Sequence, residues 1–371
     1  MLPAQRHSQI LREIDIRGGV SAAEFAARVG ASGMTIRRDL ALLESQGLVE
    51  RVHGGAVKPR RHGASASARR LTPLATLGMV VPSANYYYPE IIRGAKAAAA
   101  EAGARLVLGV SEYSSEFERE QISRLATNGV DGMLVTPSRS FHAEPATFEA
   151  LRDVSVPVVV VERALDSAAS LGALSTVRSD HAHGAELAVA HLIAEGCRRI
   201  ALARRRSPTA PFVREGYRRA LAADDPARAP IEFELPAREA SIASLRKHLN
   251  ELLDACLDQR VDAIVVLPDE VAISLLEVAG DRGIVVPRDL ALVAYDDEVA
   301  SLASVPLTAV APPKFQVGHL AARTCMDQVL ASARGSSAEA LPRVELLPAL
   351  KTRESSRREH APAALSVDGE R

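Results

Sequence analysis

Apolar positions over the first 57 residues follow one helical face after another and then switch to strand alternation. Ile10, Leu11 and Ile14 share one helix face, and Gly18-Gly19 should stop that helix. Ser21-Ala22-Ala23-Glu24 has the form of a capping box, with Val20 and Phe25 placed as a hydrophobic staple. A second short helix is expected from there to about Gly30. After a tight turn Ser32 is a suitable N-cap, and Ile36, Leu40 and Leu43 form a stripe at i, i+4 and i+7. Leu48 to Gly55 then alternates and ends in Gly54-Gly55, the pattern of a small β-wing. Thr35, Arg37 and Arg38 fall off the apolar stripe. A hydroxyl beside two guanidiniums suits a phosphate-lined major groove, although an isolated Arg-Arg pair could merely solvate a helix face. Three helices and a wing in this order predict a winged helix-turn-helix. The candidate DNA contacts are Ser32, Thr35, Arg37, Arg38, Arg51 and His53.

From Leu74 the pattern changes to short apolar runs alternating with helical stretches. Strands are expected at 75–81, 105–110, 132–136, 156–161, 199–203, 263–267 and 290–294. Helices are expected at 90–102, 116–128, 145–152, 180–195, 212–223, 242–257 and 270–282, several ended by glycine. Runs such as Val156 to Val161 are apolar throughout, which fits a parallel sheet covered on both faces. Regular βα alternation over about 230 residues predicts doubly wound sheets, and that length suits two lobes better than one.

The chain has 371 residues, 47% hydrophobic and 25% charged, the composition of an ordinary globular protein. The net charge of −1 hides an asymmetry. Residues 1–70 carry twelve Lys and Arg against six Asp and Glu, whereas the rest carries 33 against 40. A basic head on an acidic body fits a nucleic-acid-binding module joined to a part with another task. Residues 58–73, with Lys58-Pro59-Arg60-Arg61 and Ser65-Ala66-Ser67, lack periodicity and read as a basic, flexible linker. Residues 357–371 read as a disordered tail. No run approaches a membrane span and no signal-like stretch opens the chain. Cys197, Cys256 and Cys325 are scattered, so a reducing cytoplasm is expected, with no disulfide framework and no metal knuckle. His181, His183 and His191 lack the carboxylates or thiolates of a metal site, and no nucleophile elbow, Walker loop or dinucleotide fingerprint occurs. No cofactor and no catalytic residue are expected.

The head resembles the DeoR-type winged helix-turn-helix in its core Thr35 to Leu40, in Leu43-Glu44, Gly47-Leu48 and Arg51 to Ala56. The body, over about residues 74–356, resembles the effector domain of the LacI/GalR family, a relative of periplasmic sugar-binding proteins. The matching motifs are Gly78 to Pro82 with Asn85-Tyr86-Tyr87-Tyr88, Gly129-Val130-Asp131-Gly132, and Arg214-Glu215-Gly216-Tyr217. Ala294-Tyr295-Asp296-Asp297, Pro306 to Val310 and Leu347-Pro348 through Ser356 complete them. The resemblance implies a two-lobed periplasmic-binding-protein-like domain at 74–356 behind a winged helix-turn-helix at 1–57. The lobes would be two doubly wound parallel sheets with crossovers near 178, 308 and 340.

Ligands of open α/β sheets sit at the carboxyl ends of strands. Asn85, Tyr87, Tyr88, Glu162, Arg163, Asp269 and Asp296 fall there, and Arg214 would come from a helix start. These are the candidate effector contacts. A sugar needs flat apolar faces with carboxylates, amides and guanidiniums for its hydroxyls. Loop packing is the plain alternative for the tyrosines, and turn chemistry for Asp296. The chain departs from the family at Pro268, where Asn is usual, at Glu162, where Asp is common, and at His181, where Asn is common. Arg163 and Arg214 could equally hold an acid or a phosphate.

The expectation is a cytoplasmic, homodimeric transcription regulator of the repressor type. Its operator binding would answer to a small sugar-like effector. A constitutive DNA-binding dimer and a sugar-acting enzyme with a DNA-binding head remain open alternatives at this point.

Overall fold

A computed structural model describes residues 6, 10, 13–14, 19–29, 32–45, 49–52, 54–57, 73–140, 143–165, 174–238, 240–335 and 340–357. The expected linker and tail thus lie almost wholly outside the described residues. The chain divides into two compact units, Met1–Thr72 and Pro73–Arg371.

In the first unit Arg6, Ile10, Glu13 and Ile14 are helical. They are followed by β1 (Gly19–Ser21), α1 (Ala22–Val29), α2 (Gly33–Ser45), β2 (Glu50–Val52) and β3 (Gly55–Val57). Gly19, read from the sequence as part of a helix stop, begins a strand that pairs antiparallel with β3. The wing is therefore three-stranded, in the order β1-β3-β2. Ile10, Val20, Phe25, Ile36, Leu40, Leu43 and Val49 are all buried in one cluster. Burying side chains of this size contributes about 2 kcal/mol each, the main force holding so small a unit together.

The second unit begins with β4 (Thr76–Val81), α3 (Tyr88–Glu101), β5 (Arg105–Val110), α4 (Ser115–Thr127), β6 (Gly132–Val135), α5 (Pro145–Arg152), β7 (Val158–Val161) and β8 (Ser175–Ser179). The chain then crosses to a second lobe through α6 (His181–Ala194), β9 (Ile200–Arg205), α7 (Ala210–Asp224), β10 (Ile231–Leu235), α8 (Ile242–Asp258), β11 (Ala263–Leu267), α9 (Asp269–Asp281), β12 (Ala291–Tyr295) and β13 (Thr308–Ala311). It returns with α10 (Lys314–Ala333) and β14 (Arg343–Leu346), and crosses a third time to β15 (Ala349–Lys351). The two six-stranded sheets have the orders β14-β8-β7-β6-β4-β5 and β10-β9-β11-β12-β13-β15. All their pairings are parallel except β13 with β15. Apolar clusters cover both faces of each sheet, as uniformly apolar strands require.

The structure adds elements that the apolar pattern does not announce. β8 reads Ser-Thr-Val-Arg-Ser, β10 alternates glutamates with apolar residues at a sheet edge, and α10 is rich in small residues. The small residues have a packing reason. A Cβ on Gly94 of α3 would lie 2.0 Å from the Phe315 carbonyl, and one on Gly318 of α10 would lie 1.9 Å from that of Ile91. Only glycine at both places lets these two backbones touch.

Candidate functional site

The head presents α2 through its first turn. Ser32 Oγ accepts the Thr35 N–H at 3.1 Å and lies 2.8 Å from Thr35 Oγ1, so the two hydroxyls close the helix start. Asp39 is buried and receives Arg6 Nε at 2.8 Å, which ties the preceding helical residues to α2. Met34 is 67% exposed on the first turn, an apolar side chain with no core to fill. Such a group suits the methyl edge of thymine. Its exposure is not legible from the motif, which draws attention to the arginines. The side chains of Arg37, Arg38 and Arg51, and all of His53, lie outside the described residues.

In the second unit the carboxyl ends of strands from both lobes meet. Glu162 follows β7 with a left-handed φ of 53° and is buried. Its carboxylate accepts the Ser179 N–H at 3.0 Å, the Ser179 hydroxyl at 2.7 Å and the Tyr87 hydroxyl at 3.0 Å. His181 Nε2 lies 3.4 Å from Oε2, the oxygen that also accepts the Ser179 N–H. Burial pushes the Glu162 carboxyl up, but His181 and Ser179 together outweigh it and hold the group at about 2. Arg163 is buried too. It donates to the carbonyls of Pro137 and Glu162, each at 2.7 Å, and to the Tyr88 hydroxyl at 3.2 Å.

On the facing lobe Asp269 starts α9 fully buried. Its Oδ2 accepts three consecutive N–H groups, from Glu298, Val299 and Ala300, at 2.7, 2.8 and 3.1 Å. Asp296 follows β12 with φ 94° and is buried. Burial raises its carboxyl to about 7; Lys314 opposes the rise, while the neighbouring Asp269 and Glu298 reinforce it. Lys314 donates to the Asp296 carbonyl, pairs with Glu298 and stands 5.1 Å above the Tyr87 ring.

Tyr86 joins the two halves. From the loop after β4, in the first lobe, its hydroxyl donates to Asp269 Oδ1 and lies 3.4 Å from Asp296 Oδ2. Burial and these two carboxylates push its phenol far above the ordinary range. Tyr87 and Tyr88 turn back into their own lobe.

Six of the eight predicted effector residues therefore gather in this region: Tyr87, Tyr88, Glu162, Arg163, Asp269 and Asp296. Asn85 is exposed beside them, its backbone N–H donating to Ser83 Oγ at 3.1 Å. Arg214 is not brought to the cluster. Its neighbour Val213 is fully buried, and one residue further round α7 turns Arg214 to the β10 edge. There Arg214, Arg218 and Arg204 share Glu232 at 2.9, 2.6 and 3.6 Å. Tyr86, His181 and Lys314 were missing from the sequence-derived set. Lys314 carries one signal, a lysine directly after Pro312-Pro313 where the chain crosses between lobes.

Comparison with known proteins sorts the chain into the same two parts. Residues 6–62 match the model of the DeoR-like helix-turn-helix domain, and residues 189–356 that of the periplasmic binding protein-like domain. The chain joins a DeoR-like head to a periplasmic-binding-protein-like body. The arabinose metabolism transcriptional repressor of Geobacillus stearothermophilus is 27% identical over 339 residues, covering 89% of this chain and 90% of the repressor. The ribose operon repressor of Escherichia coli is 28% identical over 282 residues, 72% of this chain and 79% of that one. Among solved structures, the CelR–cellobiose complex is 25% identical with a TM-score of 0.64, covering 89% of this chain and 94% of CelR. The regulator CcpA of Lactococcus lactis shares the fold of the body, with a TM-score of 0.63 at 22% identity over 76% of this chain and 99% of CcpA. Among the described residues no helix is long and apolar enough to cross a membrane.

Proposed function

We propose that this protein is a transcription repressor whose DNA binding answers to a small polyhydroxylated effector, a monosaccharide or a close derivative. The observation that carries the reading is the convergence of Glu162, Asp269 and Asp296, with Tyr86, His181 and Arg163, where the strand ends of two lobes face each other. Carboxylates, a phenol and a guanidinium are the groups that recognise sugar hydroxyls. The relatives named for arabinose and ribose agree with that chemistry. The division of labour is a DNA-reading head at 1–57, a linker at 58–73, an effector and dimerisation domain at 74–356 and a tail beyond it. Two heads on a homodimer would read an operator of matching symmetry in the cytoplasm. In the head, Ser32, Thr35, Arg37, Arg38, Arg51 and His53, with Met34, form the DNA surface.

The test pairs two measurements on the purified protein. A thermal-shift panel of pentoses, hexoses, polyols, sugar phosphates and nucleosides should give one class a clear stabilisation, because a ligand of the native state raises the melting temperature. The same compound should change affinity for the protein's own promoter region. Binding to that DNA that no compound alters would sink the effector half of the proposal. Met34→Ala should weaken operator binding by about 1 kcal/mol and relax one base preference. Arg38→Ala should weaken it regardless of sequence and lower the salt slope by about one.

A further inference from the structure

Two carboxylates of the second lobe converge on one donor, and that donor is a tyrosine of the first lobe. Asp269 is locked in place because its Oδ2 holds three backbone N–H groups, which leaves Oδ1 as its outward oxygen. Tyr86 donates to that Oδ1, with Asp296 Oδ2 at 3.4 Å from the same hydroxyl. The Tyr86 backbone stands at φ 53°, a region that bulky residues rarely adopt. Arg238, from the loop after β10, lies 5.7 Å from its ring centroid. A phenol hydroxyl offers one O–H donor and acceptor lone pairs on a carbon frame, the same hydrogen-bonding groups as one hydroxyl of a sugar or polyol.

We propose that Tyr86 is a specificity-determining residue that acts as an internal stand-in for an effector hydroxyl. It gives its proton to Asp269 in a hydrogen bond, beside Asp296, while no effector is bound and must be displaced when an effector presents its own hydroxyl. Two consequences follow for the ligand. The group that meets this carboxylate pair is a hydrogen-bond donor such as a hydroxyl, since a carboxylate or phosphate would bring further negative charge to it. Affinity is also reduced by the fraction of molecules in which Tyr86 already holds the pair. The proposal rests on the reading of the cleft as a site for a polyhydroxylated effector.

The experiment compares the wild type with Tyr86→Phe as full chains. The variant keeps the ring and removes only the hydroxyl. Without added compound, Tyr86→Phe should melt about 2 °C lower, because one bridge between the lobes is lost and Asp269 Oδ1 loses its donor. With the stabilising compound of the panel, titration calorimetry should show the variant binding about fivefold to tenfold tighter, as release of an internal competitor demands. Weaker binding by Tyr86→Phe would overturn the proposal, for the phenol would then serve the effector rather than compete with it. Unchanged melting without compound would overturn it as well, since the hydroxyl would not bridge the lobes. If no compound stabilises either protein, the effector reading fails and the displacement with it. The melting of the compound-free variant then still decides whether Tyr86 joins the lobes.

Discussion

Glu162 and Asp296 are near mirror images across the cleft, and they carry opposite electrostatics. Each follows an apolar strand, each has a left-handed φ, and each is at least nine-tenths buried. Yet Glu162 is held down at about 2 while Asp296 rises to about 7. Burial pushes both upward and cannot explain the split. The donors around each group do. Glu162 faces a backbone amide, a serine, a tyrosine and a histidine, whereas Asp296 faces Tyr86 and two further carboxylates, with Lys314 as the opposing charge. Burial therefore sets how much is at stake, and the donor set decides the sign. The Glu162 half is complete within the protein. The Asp296 half gains most from donors that a ligand would bring.

The strongest way to break this comparison is Glu162→Gln. A carboxyl whose folded value of about 2 lies below its ordinary 4.5 contributes stability that is present above about 4.5 and lost as pH falls toward 2. The shift corresponds to about 3 kcal/mol. Urea unfolding at pH 7 should show a loss of that order, and the variant should lack the wild type's steep decline in acid. Equal stability of variant and wild type at pH 7 would mean that the four donors contribute nothing net.

Asp296→Asn should act in the opposite sense. Its folded value of about 7 lies above its ordinary 3.8, so ionisation costs the folded state stability as pH rises from about 3.8 to 7. Asparagine cannot ionise. At pH 8 the variant should be more stable than the wild type by at least about 2 kcal/mol, the pull of Lys314 being already contained in the folded value of about 7. Its stability should be flatter between pH 4 and 7. Effector stabilisation should vanish at the same time, which separates a residue kept for binding from one kept for folding. A drop in stability at pH 8 would place Asp296 with Glu162 and erase the contrast.

How far this was legible in the sequence depends on where each residue's partners come from. β7, four consecutive valines, declares itself because its surroundings are apolar on every side. β8 does not, because Ser175 and Ser179 are buried through polar partners on other elements. Gln328 donates to Ser175 Oγ at 2.6 Å, and Ser179 serves Glu162. The strand-end acids were readable from the rule that such ends face a cleft. Which of three adjacent tyrosines crosses that cleft was not, because the choice is made by the φ of Tyr86 and by two acids 183 and 210 positions away. Arg214 misled for a similar reason. One step along a helix turns a side chain by about 100°, and Val213 took the inward place.

The finest test of the comparison is Ser179→Ala, because it removes one donor and leaves the others. The Ser179 hydroxyl donates to Glu162 Oε1 at 2.7 Å, while the backbone N–H of the same residue holds Oε2 at 3.0 Å and stays in the variant. Alanine keeps the β-carbon, so the strand should persist. The expected cost is about 1 kcal/mol at pH 7, the usual worth of one hydrogen bond and somewhat more because this acceptor is charged. The Glu162 carboxyl should rise from about 2 toward its ordinary value, and the acid-unfolding midpoint should move up with it. The second limb, the decline between about pH 4 and 7 that Asp296 controls, should stay where it was. A change confined to the acid limb would show that each carboxylate answers to its own donors. Equal movement of both limbs would mean that Glu162 and Asp296 titrate as one coupled system through Tyr87 and Lys314, and the two halves of the cleft would have to be treated as a single site.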